Sequence, residues 1–314
     1  LFRAYFFIST FILFGLLFAL FGKKVLDMRK WIFLFWMAMF IAGCDLIEYH
    51  PYDVRLSGKL DINKKNIPLI EEACRDKDTV RFVLMGDTQR WYDETELEAL
   101  RQGIAIPGEG RSRDEIARAW VKHMNKRDDV DFVIHGGDIS DFGLTKEFLW
   151  IRDIMGKLRV PYVALLGNHD ILGNGMDVFV DVFGEENFSF RAGENLFLCV
   201  NTNALEFDYS HPVPDFSFIY SELQDTVGIS RTIPVMHVPP GDIEFNNNVG
   251  FVFHTMLKTF PGMEFCMHAH SHRLRHEEHF DDGIPYIGCS CMKDKNYLLF
   301  TLTPEGYEYE VVYY

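Results

Sequence analysis

The chain has 314 residues, of which 48% are hydrophobic, and its formal net charge is −15 at pH 7. This length and hydrophobic content are enough for one large domain or two small ones with a substantial core. Because so acidic a surface repels polyanions, bulk binding of nucleic acid is not expected.

The N-terminal residues 1–43 are predicted to be signal or membrane segments outside the folded domain. Residues 1–21 are almost wholly apolar and long enough to span a bilayer. Met28-Arg29-Lys30 then opens a basic segment, which is followed by the apolar run Trp31–Ile41 and by Ala42-Gly43-Cys44. That succession is typical of a secretory signal with a small-residue cleavage site. The sequence Ile-Ala-Gly-Cys is similar to a bacterial lipoprotein box, and this resemblance implies that Cys44 is lipidated.

The two apolar runs can be combined in two ways. In one, translation starts at Met28, and residues 1–27 reflect an over-long prediction of the gene. In the other, both runs are translated, and the basic residues between them form a cytoplasmic loop. Both predict a membrane-anchored lipoprotein that lies outside the cytoplasm, in the periplasm or on the cell surface.

The remainder of the chain is expected to divide into a tether and a domain. Residues 44–78 are predicted to be the tether that follows the lipid anchor, with one short helix near Ile67–Cys74. Residues 79–314 are predicted to be the folded domain, because no linker or internal repeat interrupts them.

The first half of this domain alternates strands with helices. Strands are predicted at Val80–Met85, Val130–Ile134 and Pro161–Leu166, and helices from Ile116 onward and over Thr145–Leu158. This β-α-β-α-β order predicts a parallel sheet with helices on its faces. Asp87, Asp138 and Asn168 fall just past the three strands. Functional residues gather outside the carboxyl ends of such strands, so we expect a shared site there.

The second half is predicted to contain further strands. They are expected at Leu196–Asn201, Ile233–His237, Glu264–His268, Pro285–Cys289, Tyr297–Leu302 and Tyr307–Tyr313. The last four follow one another closely along the chain, which suggests a more antiparallel second sheet.

Short polar runs carry the most specific signal, and each lies at or near the end of an apolar run. They are Gly86-Asp87-Thr88-Gln89, Gly137-Asp138, Gly167-Asn168-His169-Asp170, His237 and His270-Ser271-His272. Oxygen and nitrogen ligands of these kinds suit a pair of divalent or trivalent metal ions. Enzymes that catalyse displacement at phosphorus commonly use such a pair. The order of the runs and their local sequences resemble those of the calcineurin-like metallophosphoesterases, and the resemblance spans roughly residues 80 to 314.

The resemblance implies an α/β fold, the two-sheet α-β-β-α metallophosphoesterase sandwich. It implies a hydrolase of small phosphate monoesters or diesters that uses two metal ions, with manganese, iron and zinc as candidates. It assigns Asp87 and Gln89 to the first metal, Asp138 to both as a bridge, and Asn168 and His237 to the second. The family more often has His in place of Gln89, and a neutral amide oxygen favours a harder ion such as manganese.

The His-rich segment near residue 270 can be aligned in two registers. The family motif is Gly-His-x-His, and Ala269 takes the glycine position if the ligands are His270 and His272. If the ligands are His268 and His270, bulky Met267 takes that position instead. We prefer the first register, which implies that His270 binds the second metal and His272 the first.

The resemblance also assigns two catalytic residues. It places His169 beside the substrate, where the imidazole would protonate or stabilise the leaving oxygen, and it implies that Asp170 orients His169 through a hydrogen bond. Two alternatives are a non-catalytic metal-binding lipoprotein that reuses the fold as a binding module, and a structural zinc protein. The zinc protein is disfavoured because structural zinc sites rely on Cys and no Cys belongs to this set.

Overall fold

The computed structural model describes residues 56, 58–88 and 111–314, except for the side chains of 111–114. The predicted lipidation site at Cys44, both N-terminal apolar runs and the predicted ligand Gln89 therefore lie outside the described residues. Among the residues that are described, no helix is long and apolar enough to cross a membrane.

The described chain forms strands and helices in the following order. The strands are β1 (Val80–Met85), β2 (Phe132–His135), β3 (Tyr162–Ala164), β4 (Phe188–Ala192), β5 (Asn195–Val200), β6 (Arg231–Met236), β7 (Cys266–His268), β8 (Arg275–Glu277), β9 (Tyr286–Gly288), β10 (Asn296–Thr303) and β11 (Gly306–Tyr313). The helices are α1 (Ile62–Cys74), α2 (Arg111–Met124), α3 (Thr145–Met155), α4 (Gly175–Val182), α5 (Phe216–Leu223) and α6 (Gly250–Leu257).

The strands form two sheets. Sheet 1 has the order β11-β10-β1-β2-β3, in which β1, β2 and β3 run parallel and β10 and β11 are antiparallel additions. Sheet 2 has the order β4-β5-β6-β7-β9-β8, in which the four central strands are parallel and only the edge strands β4 and β8 are antiparallel.

This pairing corrects one expectation about the second sheet. The last four predicted strands do not share an antiparallel sheet: β7 and β9 pair in parallel in sheet 2, whereas β10 and β11 return to sheet 1. Strand β10 pairs with β1, a partner distant in sequence, so closeness along the chain did not indicate the right sheet.

The two sheets pack face to face through an aromatic core. The ring of Phe82 stacks on Phe132 and Phe300 at centroid distances of 5.2 and 5.1 Å, and Phe197 of sheet 2 meets it edge-on at 5.0 Å. Along β1, Phe82 and Leu84 face this inter-sheet core, while Val83 faces the helices outside sheet 1. This alternation is the two-residue period of a strand that is buried on both faces.

Helices cover the outer face of each sheet. Trp120 of α2, Phe148 of α3 and Phe179 of α4 are buried against sheet 1. Ile219 of α5 and Phe253 of α6 are buried against sheet 2. The predicted two-sheet α-β-β-α sandwich is therefore confirmed.

Helix α1 is packed into this domain. Its residues Ile70 and Cys74 are fully buried in the inter-sheet core. The side chain of Asn63 bonds the backbone of Ala164 twice, donating to the carbonyl at 2.8 Å and accepting from the N–H at 2.9 Å. The folded domain therefore begins before residue 79 and includes part of the segment that the sequence suggested as a tether.

Candidate metal centre

Parallel strands bring the polar runs to one edge of the sandwich. In sheet 1, Met85 is paired with His135, and His135 with Ala164, so the loops after the three strands start side by side. The N–H of Asp87 donates to the carbonyl of Gly137 at 3.0 Å, and that of Thr88 donates to the carbonyl of Asp138 at 2.9 Å. These bonds hold the first two loops in contact.

Sheet 2 supplies the remaining side chains from the ends of β6 and β7. The N–H of Ala269 donates to the carbonyl of His237 at 3.2 Å, which ties the two strand ends together. His237 is fully buried, and the side chains of His270 and His272 retain 15% and 19% exposure. The site thus lies where the carboxyl ends of both sheets meet.

The side chains form two clusters that share one carboxylate. One consists of Asp138, His237 and His270, and the other of Asp87, Asp138 and His272. Within each cluster the potential ligand atoms lie within 4.8 Å of one another. Asp138 is the member common to both, which is the position that a bridging carboxylate must occupy.

Asn168 joins the first of these clusters. Its amide oxygen lies 3.0 Å from Nε2 of His237 and 3.1 Å from Nδ1 of His270. Nδ1 of His237 lies 2.8 Å from the carbonyl of Gly136 and must carry a hydrogen there, because a carbonyl only accepts. When the ring is neutral, it therefore presents the lone pair of Nε2 towards Asn168 and Asp138.

His268 takes no part in either cluster. It is buried, its Nδ1 contacts the carbonyl of Ala269 at 2.9 Å, and burial lowers its pKa to about 3. Its ring also lies so close to Gly288 that a Cβ at that position would come within 2.4 Å. The clusters contain His270 and His272, which is the register preferred from the sequence.

Backbone geometry at the site is unusual. Asp87, Asp138, His270 and His272 all adopt left-handed conformations, with φ of 53°, 57°, 64° and 53°. Such conformations cost energy for residues with a Cβ and concentrate at functional sites. Gly167 permits the close approach of the loops, because a Cβ there would lie 2.2 Å from Oδ1 of Asp138.

The donor set fits a pair of metal ions. Asp87 is 1% exposed, and neither of its carboxylate oxygens accepts a hydrogen bond within the described part of the chain, although Nε2 of His272 lies 3.1 Å from Oδ1. A buried carboxylate without hydrogen bonds is costly unless a cation compensates it. Carboxylate, amide and imidazole donors are those expected for manganese, iron or zinc.

Comparison with known proteins agrees with this geometry. The family model for calcineurin-like phosphoesterases matches residues 80–274. The chain belongs to this family. No curated protein sequence matches it.

Solved structures show the same fold for this phosphoesterase domain. The structure described as "GAP50 the anchor in the inner membrane complex of Plasmodium" has 14% identity and a TM-score of 0.50, with 76% of this chain and 85% of that chain covered. Purple acid phosphatase PPD1 from seeds of yellow lupin (Lupinus luteus) has 14% identity and a TM-score of 0.51. The match covers 74% of this chain and 51% of the phosphatase chain. At such identities the likeness concerns the fold alone.

Opposite charges meet at the centre of the phosphoesterase site. Burial alone would raise the pKa of Asp138, but the charge and hydrogen bond of His237 and the contacts with His169 hold that pKa at about 2. Burial likewise opposes protonation of His237, yet the carboxylate of Asp138 raises its pKa to about 9. Without metal, a proton on His237 therefore occupies the place of a cation.

Asp170 does not have the predicted contact with His169. Its Oδ1 accepts hydrogen bonds from the N–H of Ile139 at 2.9 Å and from the N–H and hydroxyl of Ser140, both at 2.8 Å. Its Oδ2 accepts from the N–H of Gly167 at 2.9 Å. The prediction that Asp170 orients His169 is therefore wrong, because these donors hold the carboxylate. Asp170 instead joins the loop of Asp138 to the loop of Asn168.

His169 is held by a different partner. Its Nδ1 lies 2.9 Å from the carbonyl of Asp141, so this nitrogen carries the hydrogen and Nε2 faces away from that bond. Its backbone N–H donates to Oδ1 of Asp138 at 3.0 Å. Burial lowers the pKa of His169, but the charge of Asp138 and the carbonyl of Asp141 outweigh it and raise the pKa. The half-buried ring can therefore deliver a proton through Nε2.

Asp242 contacts the centre but was not found from the sequence. Its Oδ1 lies 3.4 Å from Nε2 of His270, and the hydrogen bond from His270 lowers its pKa to about 2. A hydrogen on Nε2 leaves the lone pair of Nδ1 directed towards Asn168, as metal-binding histidines require. The contact joins two loops through space, so no spacing in the sequence marked it.

Proposed function

We propose that this domain hydrolyses phosphate esters with two metal ions. The observation that carries the proposal is the pair of clusters that share Asp138. The residues that would hold the ions are those predicted as ligands: Asp87, Gln89, Asp138, Asn168, His237, His270 and His272. When bound, such ions stabilise charge on the phosphoryl oxygens and make a water molecule more acidic.

The residues of the chain have separate tasks in this reaction. Asp138 supplies a carboxylate that stays ionised at neutral pH, because its pKa lies at about 2. Asn168 places its amide oxygen beside Nε2 of His237 and Nδ1 of His270, so that these three atoms could bind the same ion. His169 donates a proton from Nε2 to the leaving oxygen, and the carbonyl of Asp141 maintains its tautomer.

We further propose that the domain acts outside the cytoplasm as a lipoprotein anchored through Cys44. The support is the order of basic segment, apolar run and small residues that ends at that cysteine. The substrate class would then be a small phosphate ester that is present in the periplasm or at the cell surface.

The alternative is a binding module that holds metal without turnover. A protein of similar fold is described as an anchor in the inner membrane complex of Plasmodium, which is the reason for keeping a binding module as the alternative. It predicts metal binding with no hydrolysis of any ester.

The deciding experiment is a screen of the purified protein against phosphate monoesters and diesters. The protein is stripped with a chelator and reloaded with manganese, iron or zinc, and Asp138→Ala is assayed in parallel. We expect two ions per chain and metal-dependent turnover in the wild type, and loss of both in the variant. Two bound ions without turnover of any ester would support the binding module instead.

A further inference from the structure

The loops beside His169 expose large apolar side chains. Phe142 is 54% exposed, Leu205 is 64% exposed, and Leu172 is 36% exposed. We call these three residues the apolar rim. Exposed apolar residues that cluster next to a site mark contact with a ligand more often than isolated ones do.

Backbone contacts place one part of the apolar rim next to the imidazole of His169. Phe142 follows Asp141, whose carbonyl holds Nδ1 of His169 at 2.9 Å. Leu172 lies in the adjoining loop, because a Cβ on Gly143 would come within 2.2 Å of the carbonyl of Leu172. These two exposed residues therefore lie on loops that flank His169.

Leu205 follows a strand of sheet 2, and hydrogen bonds hold its segment close to the loop that carries His169. The side chain of Asn203 donates to the carbonyl of Leu166 at 3.0 Å, just before the loop that carries Asn168. The N–H of Leu205 donates to the carbonyl of Glu244 at 3.2 Å. These bonds hold the short helical turn Ala204–Glu206 near the carboxyl end of β3.

Carboxylates accompany these apolar residues. Glu206, next to Leu205, is half-buried, and burial and the charge of Glu244 raise its pKa while the charge of His169 lowers it. Oε2 of Glu244 is buried and accepts no hydrogen bond from the described residues. A second negative group on a substrate would meet repulsion on this side of the site.

We propose that the substrate is a phosphate ester whose leaving alcohol is apolar and carries no negative charge, and that the apolar rim contacts this alcohol. The inference rests on the proposed function, in which His169 protonates the leaving oxygen. The leaving alcohol must then lie beside His169, where Phe142, Leu172 and Leu205 are exposed. Glu206 selects against alcohols that bear a further phosphate or carboxylate.

The first test compares ethyl, butyl and octyl phosphate, and the matching symmetric dialkyl phosphates, below the concentration at which they form micelles. These alcohols differ in apolar length but hardly in the acidity of the leaving group. We expect kcat/KM to rise with length, by at most about fourfold for each methylene that becomes buried. Equal values for ethyl and octyl esters in the wild type would overturn the proposal.

The variants make the test specific to the apolar rim. Phe142→Ser combined with Leu205→Ser should reduce the octyl-to-ethyl ratio of kcat/KM. The matched control is Phe251→Ser combined with Val252→Ser on α6, two exposed apolar residues (72% and 57%) outside these loops. We expect the control to keep the wild-type ratio. A ratio that is unchanged in the rim variant would also overturn the proposal.

A third comparison tests the role of Glu206. Wild-type protein should prefer hexyl phosphate to 5-carboxypentyl phosphate, and Glu206→Gln should reduce that preference. If no ester of any length is hydrolysed, the proposed function fails. Calorimetric titration with ethyl and octyl phosphate would then still test the inference, because tighter binding of the octyl ester supports it and equal binding contradicts it.

Discussion

At the scale of single residues, three imidazoles of the site are each fixed by a second group. Gly136 holds His237, Asp141 holds His169 and Asp242 lies against His270. The ligand types were predictable from the sequence, because Gly-Asp and Asn-His-Asp runs follow buried strands. Their partners were not, because two are backbone carbonyls and the third lies on a separate loop.

His169→Ala should separate leaving-group chemistry from metal binding. We expect full metal content and a loss of about 10²- to 10⁴-fold in kcat for alkyl esters, whose leaving oxygen needs a proton. The loss should be smaller for an activated aryl ester, which departs without one. Equal losses on both esters would contradict the assignment of His169 as the acid.

Asp242→Ala should weaken metal binding although Asp242 is not a predicted ligand. Without the carboxylate, His270 is free to change tautomer, and the affinity for metal should fall about 10- to 100-fold. Asp242→Asn keeps an acceptor oxygen and should lose less. Calorimetric titration of the metal-free variants measures both effects, and wild-type affinity in Asp242→Ala would refute this role.

Metal binding should become weaker as the pH falls. In the metal-free protein the pKa of His237 is raised to about 9, so its proton must leave before Nε2 can bind an ion. Below pH 9 this proton competes with the metal ion for Nε2. The affinity for metal should therefore fall by about tenfold for each pH unit below about 9. Calorimetry in buffers of different ionisation enthalpy should detect proton release at pH 7, and the absence of release would contradict the raised pKa.

At the scale of elements, the strands that lead into the site were the best predicted. Val80–Met85 was predicted with its observed bounds, because it is an apolar run, interrupted only by Arg81, that ends at a glycine. The edge strand β4 (Phe188–Ala192) was not predicted, since its aromatic residues alternate with polar ones over only five positions. The β10–β11 hairpin was assigned to the wrong sheet, because strand pairing depends on contacts far apart in sequence.

Helix α1 should contribute directly to the stability of the domain. Ile70 is fully buried between the sheets, so Ile70→Ala should lower the free energy of unfolding by about 2–5 kcal/mol. The neighbouring Leu69 is 57% exposed, and Leu69→Ala should change the free energy of unfolding by less than about 0.5 kcal/mol. Denaturant unfolding of the two variants measures the difference, and equal stabilities would show that α1 is dispensable.

At the scale of the whole molecule, an acidic domain is joined to a strongly apolar N-terminal region. The whole chain has a net charge of −15, and five basic residues but only one acidic residue lie within 1–43, so the domain is acidic and is not attracted to anionic lipid headgroups. Membrane attachment would therefore depend on the chain before the domain, for which the sequence predicts lipidation at Cys44.

Cys44→Ala should block this attachment. We expect the variant to lose lipid incorporation and to appear in the soluble fraction, because an acyl-modified cysteine supplies the apolar chains that hold the domain at the membrane. Cys74→Ala is the control, since that thiol is buried in the inter-sheet core. Lipid labelling with fractionation decides the matter, and wild-type protein found unlabelled in the cytoplasm would refute the prediction.

The left-handed backbone at Asp87, Asp138, His270 and His272 has a consequence for the history of such a domain. Glycine adopts this conformation without the steric cost that a Cβ imposes. A mutation to glycine at any of the four positions removes a proposed metal ligand and relieves backbone strain in the same step. Selection for folding alone would therefore favour descendants that keep the architecture and abandon the chemistry, and only continued selection for turnover opposes that drift.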